Sequence, residues 1–338
     1  MNSTNEITSD FFYKKGLCGI KNIGNTCFLN SIIQCLNNTL PLVKFMITNK
    51  YKENLNQDKQ EYILILEWDN LIRELWRKNG VVNPTKFHEA IREISLKKGY
   101  GEFTGFRQND AQEFLQFFLE NLHTAIAKEV NMVISGTPEN DIDKMAINAY
   151  TTFKNFFVNE YSYIIELFYG QFFTNIKSFN NNKSEINISY EPFNMIPLTV
   201  NKHNNIYECF DEFCSNEKIE IDENRYSLKK VFFWKLPDVL IIFFKRFHND
   251  FSKNNNFIEY PLENLDLNKY VIGYNKFKNI YNLYGIVCHT GNLMGGHYFT
   301  YIKNSDNNWY KYNDDIVTTT TNDQIITENA YCLFYSKK

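Results

Sequence analysis

Asn22-Ile23-Gly24-Asn25-Thr26-Cys27-Phe28-Leu29-Asn30-Ser31-Ile32-Ile33-Gln34 joins a polar turn to an amphipathic segment, with one cysteine at the joint. Phe28, Leu29, Ile32, Ile33 and Leu36 recur at helical spacing, so a helix is expected from Cys27 onward. A thiol at a helix N-terminus meets unpaired backbone N–H groups and the positive end of the helix dipole. Both favour the thiolate, the form that attacks carbonyls. Gly24 lets the preceding turn fold tightly, and Asn22 offers a carboxamide N–H to an oxyanion. A cysteine in front of an amphipathic helix is ordinarily a small buried hydrophobe. Here the polar, turn-forming lead serves no packing purpose, which favours chemistry.

A nucleophilic cysteine needs a base. Far downstream the chain reads Gly295-Gly296-His297-Tyr298-Phe299-Thr300-Tyr301, then Trp309-Tyr310-Lys311-Tyr312-Asn313-Asp314. His297 opens an aromatic strand behind two glycines, whose missing side chains let another backbone approach. His88, His123, His203, His248 and His289 compete for the role. Asn313 and Asp314 are both candidates for a third partner. Side chains on a strand alternate between faces, so an unbroken strand would point only one of them at the imidazole.

Four motifs together resemble the ubiquitin-specific proteases. Gly19 to Gln34 is similar to their cysteine box, and Tyr284 to Tyr298 to their histidine box. Arg107-Gln108-Asn109-Asp110-Ala111-Gln112-Glu113-Phe114 and Leu240 to Phe247 match two landmarks between them, in the family's order. The resemblance implies an α+β, papain-like cysteine protease that hydrolyses the bond after the terminal Gly-Gly of ubiquitin. Cys27 would be the nucleophile, His297 the general base and acid, and Asn22 the oxyanion donor. Asn313 would orient His297 through its carbonyl oxygen, because the family's third residue directly follows the aromatic of this motif. Asp314 would support Asn22 or a water. Asp110, Gln108, His289, Gly295, Gly296 and Tyr298 would bind the ubiquitin tail. Asp110 also reads as a helix N-cap, and Tyr298 as core. A ubiquitin-binding pseudoenzyme, or a protease for another ubiquitin-like modifier, are the alternative readings.

The resemblance divides residues 16–338, a single catalytic domain, into a helical thumb (16–165), β fingers (168–235) and a β-sheet palm (236–338). Relatives often carry two Cys-x-x-Cys pairs in the fingers, a tetrahedral zinc site. Residues 177–183 and 223–228 hold no cysteine. The Cys209 and Cys214 pair is expected to pack in the core, so neither a metal nor any other cofactor is expected.

Composition agrees with one large domain. Of 338 residues, 43% are hydrophobic and 17% aromatic, ample for a core. A net charge of −3 gives no reason to expect nucleic acid or an anionic membrane as partner. No apolar run approaches the ~18 residues of a membrane span. Seven cysteines, an odd number without disulfide spacing, suggest a reduced compartment, cytoplasm or nucleus. The expected partners are ubiquitin and its conjugates, met by a monomer. Residues 1–15 are polar and are expected to form a flexible lead-in with no signal region. Helices are expected over Glu61–Lys78 and from Asp110, with a loop over Ser135–Asp143. Strands are expected to dominate from Leu167, interrupted by a short helix at Tyr207–Phe213. Lys245-Arg246-Phe247 reads as a strand ending at the surface.

Overall fold

A computed structural model describes residues 9–105, 107–180, 183–222, 225–248, 250, 252–292 and 295–338. The first eight residues of the expected lead-in lie outside it. The chain forms two compact units. One is Met1–Ala127, Arg246–Asn255 and Leu283–Phe334; the other is Lys128–Lys245, Asn256–Asn282 and Tyr335–Lys338.

In the first unit, apolar residues at helical spacing fold Tyr62–Arg77 with Leu64, Ile65, Trp68, Leu71, Ile72, Leu75 and Trp76 inward. Ala111–Ile126 begins where the Asp110 carboxylate accepts from Gln112 and Glu113 N–H, a cap contributing about 1 kcal/mol. Its Phe118 meets Trp68 edge-on, with ring centroids 5.2 Å apart. The Cys27–Asn37 helix differs from the sequence expectation of one apolar face, because all of its residues are buried. Asn30, Ser31 and Gln34 are therefore inside and need hydrogen-bond partners.

The strands of this unit run antiparallel in the order Ile316–Thr319, Trp309–Asn313, Gly295–Lys303, Ile280–Asn292. Ala330–Lys337 is the next neighbour of Ile280–Asn292. The register sets Thr290 opposite His297 and Thr300 opposite Tyr312. Cys18–Ile20, immediately before the cysteine turn, pairs in parallel with Gly80–Val82. Arg246 corrects the reading of a strand end at the surface. It is fully buried, with Nε donating to Ala330 O at 2.6 Å and Nη1 to Asn254 O at 3.0 Å.

The second unit carries a four-stranded antiparallel sheet in the order Lys183–Phe193, Gly170–Asn180, Arg225–Lys235, Glu217–Asp222. The Asp141–Phe157 helix starts inside the stretch read as a loop, because Asn140 caps it by accepting from Asp143 N–H. Its Ala146 and Ala149 let the helix lie close on Phe173, Tyr190 and Trp234 of the sheet. Ile206–Phe213 is a short helix, and Ile196–Thr199 pairs in parallel with Val239–Lys245. Cys209 and Cys214 are buried at that helix. All seven cysteines are buried.

Among the described residues, no cluster of His, Cys, Asp and Glu could hold a metal ion. Residues 177–183 and 223–228, without cysteine, offer no thiolate to a metal. Among the described residues, no helix is long and apolar enough to cross a membrane.

Candidate active site

Cys27 is the first residue of its helix, and the turn before it is built around Asn22. The Asn22 Oδ1 accepts from Gly24 N–H at 3.0 Å and Thr26 N–H at 3.2 Å, and from Thr26 Oγ1 at 3.3 Å. Gly24 and Asn25 take φ of 127° and 54°, a left-handed bend suited to glycine and asparagine. With its oxygen occupied, Asn22 must present its nitrogen outward. The Asn22 Nδ2 donates one proton to Asp314 Oδ2 at 3.0 Å, which leaves the other free. The helix is tied down by its own polar residues. Ser31 Oγ donates to Cys27 O at 2.8 Å, Gln34 Nε2 to Cys18 O at 2.8 Å, and Asn30 Nδ2 to Ile20 O at 3.2 Å.

His297 lies between Cys27 and Asn313. Its Nε2 is 2.5 Å from Asn313 Oδ1. An amide oxygen only accepts, so Nε2 carries a proton and Nδ1 is left for the thiol. The hydrogen bond with Cys27 raises the His297 pKa to about 9; burial opposes the rise, while Asn313 and the charge of Asp314 assist it. The ring is therefore an imidazolium near neutral pH.

Asn313 and Asp314 both reach the centre because the strand ends between them. Trp309–Asn313 stops at Asn313, and Asp314 turns off at φ 51°. The face alternation that would have excluded one of the two does not extend to Asp314. Its backbone oxygen accepts from Ile20 N–H at 2.8 Å. The carboxylate accepts from Asn22 through one oxygen, and from Asn30 Nδ2 at 2.8 Å through the other. Gly19 makes this approach possible, since a Cβ there would lie 2.3 Å from Asp315 O.

Asp110 divides its oxygens. Oδ1 caps the helix at 2.7 and 3.2 Å, and Oδ2 accepts from Tyr331 Oη at 2.6 Å and from Tyr298 Oη at 3.4 Å. Gln108 and Gly296 are bonded to each other. Gln108 Nε2 donates to Gly296 O at 2.8 Å, and Gly296 N–H to Gln108 Oε1 at 2.9 Å. Gly295 is exposed beside them.

His289 is buried against Tyr298, with ring centroids 4.6 Å apart. A Cβ on Gly296 would lie 2.2 Å from its Nε2. Burial, with help from Lys253 and His297, lowers the His289 pKa to about 4, so it stays neutral. Against His88, His123, His203 and His248, His297 is the histidine that is hydrogen-bonded to Cys27. Two residues escaped the sequence reading. Tyr331 lies in a strand that reads as apolar throughout. Asn30 left a trace, because Asn30 and Gln34 stand four apart on a helix otherwise rich in apolar residues.

Comparison with known proteins identifies the family. Residues 18–335 match the model of the family described as ubiquitin carboxyl-terminal hydrolase. Ubiquitin carboxyl-terminal hydrolase Usp2 of Drosophila melanogaster is 32% identical over 96% of this chain and 35% of its own length. Ubiquitin carboxyl-terminal hydrolase 2 of Homo sapiens is 30% identical over 95% of this chain and 55% of its own. The chain thus spans between about a third and just over half of these curated relatives. Among solved structures, the SAGA Ubp8/Sgf11/Sus1/Sgf73 DUB module bound to ubiquitin aldehyde aligns with a TM-score of 0.72 at 25% identity. That alignment covers 96% of this chain and 70% of that one. The same module bound to monoubiquitin gives a TM-score of 0.71 at 25% identity, with the same coverage. With one family model covering nearly the whole sequence, the chain belongs to the ubiquitin carboxyl-terminal hydrolase family.

Proposed function

We propose that the chain is a cysteine-dependent deubiquitinase that cleaves the peptide or isopeptide bond after the C-terminal Gly-Gly of ubiquitin. The observation that carries this reading is the alignment of Cys27, His297 and Asn313, with Asn22 held beside them by Asp314. The Cys27 thiolate attacks the carbonyl carbon of the terminal glycine. Negative charge moves to the carbonyl oxygen, which accepts from the free Asn22 Nδ2 proton and from the Cys27 backbone N–H, which has no intrahelical acceptor. His297 gives its Nδ1 proton to the departing amine, and the thioester forms. The neutral ring then takes a proton from water as water attacks the thioester. Collapse restores thiolate and imidazolium and releases the ubiquitin carboxylic acid, which loses its remaining proton to solvent.

Asp110, backed by Tyr298 and Tyr331, serves as an acceptor for the arriving tail. The Gln108 amide, now on Gly296, exchanges its bonds as the tail enters. The four-stranded sheet acts as fingers without zinc, held by aromatic packing. This reading carries with it ubiquitin conjugates as substrates and a cytoplasmic or nuclear setting.

The test is hydrolysis of ubiquitin-aminomethylcoumarin by the purified chain and by Cys27→Ala. Turnover in the first, with none in the second but retained ubiquitin binding, is expected. Binding without turnover in the unaltered chain would favour a pseudoenzyme. Faster turnover of another ubiquitin-like modifier would move the substrate.

A further inference from the structure

The geometry points to Asn30 as a positioning residue for the oxyanion donor, acting through Asp314, an inference that rests on the deubiquitinase reading above. Asn30 lies one helical turn after Cys27 and is 2% exposed. Its Nδ2 donates to Asp314 Oδ1 at 2.8 Å, its shorter bond, and to Ile20 O at 3.2 Å. Its Oδ1 is buried and finds no partner among the described residues. The amide is therefore held in place by what its nitrogen donates.

Asp314 hangs from a left-handed turn, where a carboxylate has no strand neighbours to fix its plane. Two carboxamides fix it instead, Asn30 on Oδ1 and Asn22 on Oδ2. Pinning Oδ1 determines where Oδ2 points. That in turn settles the Asn22 amide, whose oxygen is already held by Gly24 and Thr26. The free Asn22 proton is left with a single direction, the condition for a preorganised oxyanion donor. The Asn30 amide bonds to Asp314 and to Ile20 O, so it acts on turnover by way of Asp314 and Asn22.

A plainer role is available, since the bond to Ile20 O also anchors the helix. Gln34 provides the control. It makes the equivalent helix-to-strand bond, to Cys18 O, without touching Asp314.

The experiment combines a kinetic cycle with a readout that needs no turnover. Asn30→Ala, Asp314→Ala and the double variant are assayed on ubiquitin-aminomethylcoumarin, with Asn30→Leu keeping volume and Gln34→Ala as control. Asn30→Ala and Asn30→Leu are each expected to lower kcat about tenfold, less than the ~10²–10³ for loss of the oxyanion donor itself, with KM unchanged. The double variant should be no slower than Asp314→Ala alone. In parallel, the Asn22 side-chain amide is followed by 15N NMR after selective asparagine labelling, assigned by its loss in Asn22→Ala. Asn30→Ala should shift it in the same direction as Asp314→Ala does, and Gln34→Ala should leave it in place.

An unmoved Asn22 amide in both Asn30 variants, or losses in kcat that multiply in the double variant, would overturn the inference. If the unaltered chain turns over no ubiquitin substrate, the deubiquitinase reading fails, while the NMR still decides whether Asn30 positions Asn22.

Discussion

Asn313 and Asp314 are neighbours with separate hydrogen-bond partners because φ turns left-handed at the second of them. The amide oxygen of Asn313 supports a charged imidazole, while the carboxylate of Asp314 faces away from it, toward Asn22 and Asn30. The His297 pKa of about 9 places the loss of imidazolium on the alkaline limb of kcat/KM. Removing the Asn313 acceptor withdraws support from the protonated ring, so Asn313→Ala should move that limb to lower pH. Asp314→Ala should lower kcat and move the limb less. A limb displaced further by Asp314→Ala would reverse the assignment.

The same pKa has a stability consequence. A folded-state value above the ordinary 6.5 means that charged His297 stabilises the fold at pH below 6.5, and that this share is lost as pH rises through about 9. Melting temperature should decline across that window, and less so in His297→Ala. At Asp110, asparagine still caps the helix but loses the charge facing Tyr331. Asp110→Asn should therefore raise KM severalfold with little change in melting temperature. An unchanged KM would leave Asp110 a cap alone.

At the level of elements, what could be read from the sequence followed from how each element meets water. Tyr62–Arg77 and Ala111–Ile126 were legible because apolar and polar faces alternate at helical spacing along them. Glu217–Asp222 was not, because all six residues are exposed and the strand exists only through its backbone bonds to Arg225–Lys235. The start of Asp141–Phe157 was hidden by a polar run in which Asn140 is a cap and not a turn residue. The cysteine box was legible as a turn and a helix, yet its polar residues gave no sign of their depth. Asn30 and Gln34 are inside because Cys18–Ile20 offers carbonyls to them. That short strand also carries Gly19, and its close approach to Asp315 can be tested. Gly19→Ala would push the 314–315 turn outward, and kcat should fall at least tenfold while Cys27 stays in place, since misplacing catalytic groups by ~1 Å costs about 10²-fold. Wild-type kcat in Gly19→Ala would show that the turn yields without consequence.

At the scale of the whole molecule, the motifs announced that distant segments converge but not how the chain is apportioned. Three separate stretches build the unit that holds every candidate catalytic residue, and three others build the second unit. The thumb, fingers and palm division came from the family resemblance, since periodicity is local and carries no record of long-range contacts. In the second unit, alanines of one helix pack against aromatic rings of the sheet to form a core. Adding a strong chelator should leave the melting temperature unchanged, and purified protein should carry no stoichiometric zinc; a melting point that falls with chelator would refute this. The burial of all seven thiols has one more consequence. Burial pushes Cys18 up to about 11 and Cys35 and Cys214 up to about 12, and holds Cys288 and Cys332 higher still. Cys27 is hydrogen-bonded to His297, the partner that activates it as a nucleophile. Intact-mass measurement after brief iodoacetamide treatment should therefore find a single adduct on the native protein and seven on the unfolded chain. A fluorophore or crosslinker could then be attached to the reaction centre of the unaltered sequence, with no other cysteine removed first.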